Sequence, residues 1–299
     1  MIPTEPKVLR ARSCSKINLL LSIEGLLPDG RHRLSTWFQA IDYGDDLTAW
    51  LHDEVVLECD VPDLCPMRDN LAWKAADLLR SEAGVAQGVR ILLEKRVPHG
   101  AGLGGGSGDA ATVLRLCNEL WELGWSLERL EELGARLGAD VPFLVAGGAA
   151  WAEGAGDRIR PAPGLHPDVH ILVATPDVGV NTGWAYRTWD ERNPPGLPER
   201  SSRTNLPGLR SRTSFLAEDL RGVLFNDFED LVHDHFPEIA RIRGEMGDAG
   251  AAASLLSGSG SSVFGLFEGR TAPGAILREW ERRNIRWRWC RPAAGAPRE

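Results

Sequence analysis

The sequence predicts an α+β fold of two domains, and three observations carry that prediction. The chain has 299 residues, 43% of them hydrophobic and 25% charged, an ordinary globular composition at a length that suits two modest cores. Its first half sets a glycine-rich loop between a strand pattern and a helical pattern. From about residue 164 the second half reads β-α-β-β-α-β once additional helices are set aside, the split ferredoxin-like arrangement. The expected domains are therefore 1–163 and 164–299.

The first strand is expected at Lys16 to Ile23, where Ile17, Leu19, Leu21 and Ile23 alternate with Lys16, Asn18, Leu20 and Ser22, the period of a half-buried strand. Lys16 and Asn18 then point the same way. Strand-like runs follow at Val55 to Cys59 and at Val89 to Val97, where Val89, Ile91, Leu93, Lys95 and Val97 share one face. Between them Leu71, Ala75, Leu78 and Leu79 have helical spacing, with Asp69 or Asn70 placed to cap. After a loop at 100–108, Ala110, Val113, Leu114, Cys117, Leu120 and Trp121 recur at three and four, an amphipathic helix beginning where the glycines end. A second helix runs from Ser126 as N-cap to a stop at Gly138. The second half offers a strand at Val169 to Ala174, helices near 214–247, strands at Ala253 to Leu256 and Val263 to Phe267, a helix at Pro273 to Arg283 and a strand at Ile285 to Cys290. Asp190 to Thr213 is expected to be a long mobile surface loop, and Pro292 to Glu299 a disordered tail.

Charge and punctuation exclude several classes. Lys and Arg number 34 against 42 Asp and Glu, a net charge of −8, which argues against wrapping nucleic acid or coating an anionic membrane. The longest weakly polar stretch, Val141 to Ala152, is broken by Pro142, Gly147 and Gly148 and falls well short of the roughly 20 residues that span a bilayer. No secretory signal is evident, so a cytoplasmic location is expected. Five cysteines, odd in number and without a C-x-x-C pair, suit reduced core thiols rather than disulfides or zinc. His233 and His235 form an H-x-H with no third ligand nearby, so no metal site is expected there.

Pro98-His-Gly-Ala-Gly-Leu-Gly-Gly-Gly-Ser-Gly-Asp109 lies between a strand and a helix, where its amides open into a nest backed by a helix N-terminus, a site for phosphate. Glycines let the backbone take positive φ and approach the anion closely. A flexible linker is the rival reading, but linkers do not ordinarily sit between a strand and a capped helix. Gly100, Gly102 and Gly105 spell G-x-G-x-x-G, yet two helical segments follow with no strand to carry a ribose-binding carboxylate, which tells against a dinucleotide-dependent oxidoreductase. Gly-Lys occurs nowhere, so this is no Walker loop. Ser107, the loop's one hydroxyl, suits either the helix N-cap or a contact to a phosphate oxygen or Mg²⁺.

Lys16-Ile-Asn18, Asp29-Gly-Arg-His32, the loop Pro98 to Ala111, Leu137-Gly-Ala-Asp-Val-Pro-Phe143 and Ser257-Gly-Ser-Gly-Ser-Ser262 together resemble the GHMP kinase superfamily over about residues 8–290. The closest likeness is to the members that act on a cytidylylated methylerythritol in the non-mevalonate route to isoprenoid precursors. The resemblance implies an N-terminal ribosomal-S5-like α/β domain that binds ATP and a C-terminal ferredoxin-like domain that binds the substrate. It implies transfer of the γ-phosphoryl group of ATP, with Mg²⁺, to the substrate's 2-hydroxyl. The family's catalytic pair falls on Lys16 and Asp140, Asp140 as base or orienter and Lys16 offsetting charge in flight. ATP contacts fall on Asn70, Pro98, Gly100, Ala101, Gly102, Leu103, Gly104, Gly105, Gly106, Ser107, Gly108 and Asp109, with Ser107 also toward Mg²⁺. Substrate contacts fall on Asn18, Arg31, His32, Asp140, Thr182, Tyr186, Ser257, Gly258, Ser259 and Gly260, His32 reading the cytosine edge. Arg31 stands where the family has a tyrosine, so the expected cytosine sandwich here is Arg31 and Tyr186. The partner is thus a small molecule, with no nucleic acid or membrane, and the protein a monomer or weak homodimer. The rivals are a homoserine- or mevalonate-type kinase and a catalytically silent nucleotide-binding regulator.

Overall fold

The strand Ser15–Leu26 is buried along nearly its whole length and joins the two halves of the molecule. The computed structural model describes residues 7–62, 64–194 and 212–296. In the first half β1 (Val8–Arg12), β2 (Ser15–Leu26), β3 (His32–Ile41), β4 (Asp46–His52) and β5 (Val56–Cys59) precede α1 (Leu71–Ala83) and β6 (Gly88–Glu94). There follow α2 (Gly105–Leu120), α3 (Leu127–Gly134), α4 (Val141–Ala146), β7 (Ala149–Gly154) and β8 (Arg158–Pro161). The second half holds β9 (Gly164–Leu165), β10 (His170–Thr175), α5 (Thr182–Arg192), β11 (Ser214–Phe215), β12 (Phe225–Asn226), α6 (Glu229–His235) and α7 (Pro237–Asp248). It closes with β13 (Ala253–Leu256), β14 (Val263–Phe267), α8 (Gly274–Arg282) and β15 (Arg286–Cys290).

Sheet β1-β4-β6-β5 packs Leu47, Ala49, Ile91 and Leu93 against Ala75, Leu79, Val113 and Cys117 of α1 and α2. Sheet β13-β14-β10-β15 is antiparallel throughout, the order of a ferredoxin-like domain as expected, and Leu172, Val263 and Ile285 meet Ile242, Met246 and Trp280 of α7 and α8. The sheet β12-β2-β3-β7-β8 stands between them, and its β12 comes from the second half to pair parallel with β2. Ile17, Trp37 and Trp151 therefore share a core with Ile171 and Phe264.

Position between two cores is why β2 is buried on both faces rather than half-buried as its alternation predicts. The register also shifts, Asn18 facing Phe38 and Leu20 facing Trp37, so Leu19 is an extra residue in the pairing. Past that bulge the faces exchange, and Leu21 joins Lys16 and Asn18 on the cleft side.

Other boundaries move for identifiable reasons. The glycines do not end before α2 but form its first turns, with Gly104 in the N-cap position, so Ser107 is not the cap. A Cβ on Gly108 would lie 1.9 Å from the Cys14 carbonyl oxygen and one on Gly105 2.9 Å from Val97 Cγ1, so the helix can dock there only without side chains. Asn70 and Ser126 cap α1 and α3 as expected, their side-chain oxygens accepting from Ala72 N and Arg129 N. α3 stops at Gly134 rather than running to Gly138, because the chain reverses there to lay α4 against it, with Leu137 N donating to Gly134 O at 2.9 Å. The segment near 214–247 is helical only in α6 and α7, its first part holding two short strands and a 3₁₀ turn. Of the expected 190–213 loop, Asp190 to Arg192 belong to α5, and 195–211 lie outside the described residues. The C-terminal segment is ordered through residue 296, not a loose tail: Ala293 N donates to Ala40 O and Ala296 N to Ala146 O, at 2.8 and 2.7 Å. All five cysteines are free, but only Cys117 and Cys290 are buried core thiols, and Cys65 is exposed.

Candidate functional site

A cleft of about 290 Å³ opens where β2, the glycine-rich loop, the start of α4, α5 and the 257–260 loop converge, and Lys16, Asn18, Gly102, Gly104, Asp140, Thr182, Tyr186, Gly258 and Ser259 line it together. Lys16 is 5% exposed. Its Nζ donates to Asn18 Oδ1 at 2.7 Å and to the Gly102 carbonyl at 2.8 Å, which aims it across the loop. Two of three ammonium donors are thereby engaged, leaving one for a ligand. Burial pulls the Lys16 pKa down and the nearby Asp140 carboxylate opposes it.

Asp140 occupies the N-cap of α4 without a side-chain capping bond. Its carboxylate is left to the cleft. At Gly104, φ +68°, a Cβ would stand 3.4 Å from Asp140 Oδ2 and 3.2 Å from Lys16 Cγ, so cation, carboxylate and loop converge on one glycine. Gly102 meets the second half of the chain closely, its would-be Cβ 2.1 Å from Ser257 O, while Ser257 Oγ donates to Gly102 O at 3.0 Å. Thr182 and Ser259 hydroxyls are 2.9 Å apart. Buried Asn226, which no motif singled out, donates to Leu256 O and Gly258 O, both at 2.8 Å, and so fixes the 257–260 loop.

The far end of the cleft is aromatic. His32 stacks on Tyr186 with centroids 4.3 Å apart and 23° between planes, meets Trp189 edge-on at 6.0 Å, and bonds Asp190 Oδ1 through Nε2 at 2.8 Å. Tyr186, Trp189 and Asp190 recur at three and four on α5, so one helix face encloses the histidine. Burial, with a smaller contribution from Asp140, pushes the Tyr186 phenol up to about 12. Arg31 does not take part: its exposed guanidinium bonds Asp29 at 2.8 Å on the hairpin turn, and His32 takes the Tyr186 face that the expected sandwich gives to a base with Arg31 beyond it.

The remaining loop residues divide. Pro98, Gly100 and Ala101 line a second cavity of about 320 Å³ with Asp177, Asn284 and Arg286. It is slightly larger, but it lacks Lys16 and Asp140, and the chemistry belongs with them. Leu103 is core. Ser107 stands half-buried in the first turn of α2, its hydroxyl with no hydrogen-bond partner among the described residues. Gly106 is exposed, and a Cβ there would touch only Leu71 Cδ1 at 3.8 Å. Nothing in the protein requires a glycine at 106, which leaves room over the helix N-terminus for a phosphate. Asp109 turns the other way, 1% exposed and bonded to Lys95 and Ser13. No group of three His, Cys, Asp or Glu suited to a metal occurs among the described residues. No helix among them is long and apolar enough to cross a membrane.

Comparison with known proteins follows the same lines. The family profiles "GHMP kinases N terminal domain" and "GHMP kinases C terminal" match residues 70–148 and 214–286. The 4-diphosphocytidyl-2-C-methyl-D-erythritol kinase of Gloeobacter violaceus is 37% identical over 278 residues, covering 90% of this chain and 89% of that one. The enzyme of the same name from Chlorobium phaeobacteroides is 41% identical over 273 residues, 90% of each chain. A crystal structure of 4-(cytidine 5'-diphospho)-2C-methyl-D-erythritol kinase aligns with TM-score 0.73 at 34% identity, over 95% of this chain and 100% of that one. The mevalonate kinase of L. major, at TM-score 0.71 and 14% identity over 98% of each chain, shares the fold.

Proposed function

The chain belongs to the 4-diphosphocytidyl-2-C-methyl-D-erythritol kinases of the GHMP kinase family, and we propose that it moves the γ-phosphoryl group of ATP onto the 2-hydroxyl of that cytidylylated polyol, with Lys16 and Asp140 as its catalytic residues. The observation that carries the assignment is the convergence of Lys16, Asp140 and the loop on Gly104. Asp140 takes the hydroxyl proton as the oxygen attacks phosphorus. The O–P bond to that hydroxyl forms, the bridging bond to ADP breaks, and the remaining Lys16 N–H donor meets the charge on the transferring group. Position and charge do the work, with no covalent intermediate.

The phosphates lie over the first turn of α2, with Asn70 and residues 98–108 serving the nucleotide. Mg²⁺ comes with ATP, and the unpartnered Ser107 hydroxyl is the protein group that would hold it, neutralising phosphate charge when bound. Asn18, Thr182 and residues 257–260 flank the substrate. We take residues 1–163 as the catalytic unit and 164–299 as the substrate-binding unit. Five free cysteines suit a reducing cytoplasm, and a monomer or weak homodimer completes the reading.

The aromatic end of the cleft favours a base-bearing substrate over homoserine or mevalonate. A base bonded edge-on to His32 would lie near the His32 plane, which is 23° from the Tyr186 ring, so base and phenol would be nearly parallel at this end of the cleft. Because the Asp190 carboxylate only accepts, Nε2 carries a proton, and in the neutral imidazole Nδ1 would accept from a cytosine amino group. Tyr186→Ala should raise KM for the cytidylylated substrate roughly 5- to 150-fold, as about 1–3 kcal/mol of stacking is lost, with little change in KM for ATP. His32→Ala should narrow the preference for the cytidyl over the uridyl analogue, and Arg31→Tyr should be neutral, since Arg31 serves only its surface pair. Equal effects of Tyr186→Ala on both KM values would remove the base from this end. ADP release measured over cytidylylated and plain polyols, homoserine and mevalonate tests the whole assignment. Turnover of the cytidylylated substrate should exceed the others by roughly a hundredfold or more in kcat/KM. Comparable turnover of homoserine or mevalonate would favour the rival kinases, and no turnover of any would favour a silent regulator.

A further inference from the structure

Behind the glycine-rich loop, away from the cleft, Lys95 Nζ bonds two carboxylates at once, Asp45 Oδ2 and, at 2.8 Å, Asp109 Oδ2. The three side chains are 8%, 0% and 2% exposed. Lys95 lies on the apolar face of β6's run, where an unpaired lysine would be costly, so the pairing is obligatory. Asp45, just before β4, also accepts from the amides of Arg96 and Val97, at 2.8 Å for Val97, and so holds the chain as it enters the loop. Asp109, in the second turn of α2, holds the chain as it leaves. Ser13, between β1 and β2, joins the carboxylates by a third route, donating through Oγ to Asp109 at 3.0 Å while its Oγ accepts from Asp45 N at 2.8 Å.

We propose that Asp45, Lys95 and Asp109 form a positioning cluster that brackets residues 96–109 and sets the aperture of the phosphate cradle from behind, without touching ATP. The proposal rests on the reading that the cradle binds the ATP phosphates. Its three members arrive from three separate parts of the chain, so the span between entry and exit of the loop is fixed by ion pairs rather than by the loop's own glycine-rich backbone. Fixing it keeps the α2 amides and Gly104 aligned before ATP arrives.

The cluster holds one cation and two carboxylates. Burial pushes the Asp109 carboxyl up to about 7, Lys95 opposing and Asp45 adding to the effect. Burial works against the Lys95 ammonium, but the two carboxylates outweigh it and its pKa ends above the ordinary value. Groups facing Asp109 are Lys95 after β6, Asp45 before β4, the Ser13 hydroxyl before β2 and the Cys59 thiol at the end of β5, which burial keeps protonated. Above pH 7 the ionised cluster carries a net negative charge one turn behind the nucleotide phosphates, so KM for ATP should rise with pH there.

The test compares KM values for the two substrates in the full-length enzyme. Lys95→Met alone leaves two buried carboxylates facing each other and is expected to fold poorly, so the working variant is Lys95→Met with Asp109→Asn, which keeps one carboxylate held by amides. Its KM for ATP should rise roughly 10- to 100-fold, with KM for the cytidylylated substrate within about threefold of wild type. Asp109→Asn alone should abolish the rise in KM for ATP above pH 7, the titration of ATP itself being common to both proteins. Gly106→Asp reports separately on the cradle. If it weakens ATP binding and the double variant does not, the cluster has no positioning role although the cradle stands; if Gly106→Asp is also silent, both readings fail. Equal losses for both substrates in the double variant, or an unchanged pH profile in Asp109→Asn, would reduce the cluster to support of the fold.

Discussion

Asp140→Asn should lower kcat by roughly 10²- to 10⁴-fold while leaving KM for ATP within about threefold, the effect of losing a general base and little else. The substitution is nearly isosteric, and asparagine serves at an N-cap as well as aspartate does, so α4 should be undisturbed. Its carboxylate makes no capping bond that the variant would lose. An independent readout is available because the chain has only two tyrosines, Tyr43 and Tyr186. Both phenols are pushed up to about 12, chiefly by burial, but Asp140 adds to the effect at Tyr186 and Asp45 at Tyr43. In Asp140→Asn one of the two ultraviolet phenolate transitions should move to lower pH and the other should stay. A variant that keeps more than about a third of wild-type kcat would take Asp140 out of the chemistry.

Gly106→Asp should separate function from stability in sign. The site is exposed, its only close neighbour would be Leu71 Cδ1 at 3.8 Å, and its φ is not left-handed, so the protein itself accepts a side chain there. A carboxylate in the first turn of a helix interacts favourably with the macrodipole, by about 0.3–1 kcal/mol, so the melting temperature should hold or rise slightly. The same carboxylate occupies the space assigned to the ATP phosphates and repels them, and titration calorimetry should show ATP affinity lower by roughly 100-fold. Binding of the cytidylylated substrate should change little. Unaltered ATP affinity would mean that the phosphates do not lie over the first turn of α2.

Much of this fold was legible as pattern. The stripe from Ala110 to Trp121 marks α2, the capping residues Asn70 and Ser126 open their helices, and the element order after residue 164 gives the ferredoxin-like sheet with β13 and β14 at their expected bounds. These features depend on local periods and on turn chemistry, which neighbouring residues alone decide. Lys16 and Asn18 on one face were readable for the same reason.

Other features needed the tertiary structure. The inward turn of Asp109 follows from α2 starting at Gly105: at 3.6 residues per turn, residue 109 lies roughly 200° around the helix from Ser107. Val97 and Cys14 press on α2 at Gly105 and Gly108, contacts that no stretch of glycines announces. Lys95 was a visible signal, a lysine on the apolar face of a strand, but its partners Asp45 and Asp109 come from 50 residues before and 14 after. His32 meets Asp190 across 158 residues, while Arg31 beside it pairs with Asp29 on the turn. The loop, the helix stripes and the order of elements can be read from pattern because each is set by interactions within a few residues. Which way a charged side chain turns, and which partner satisfies it, depends on distant contacts, because a buried charge must be compensated by whatever group the fold brings within about 3 Å.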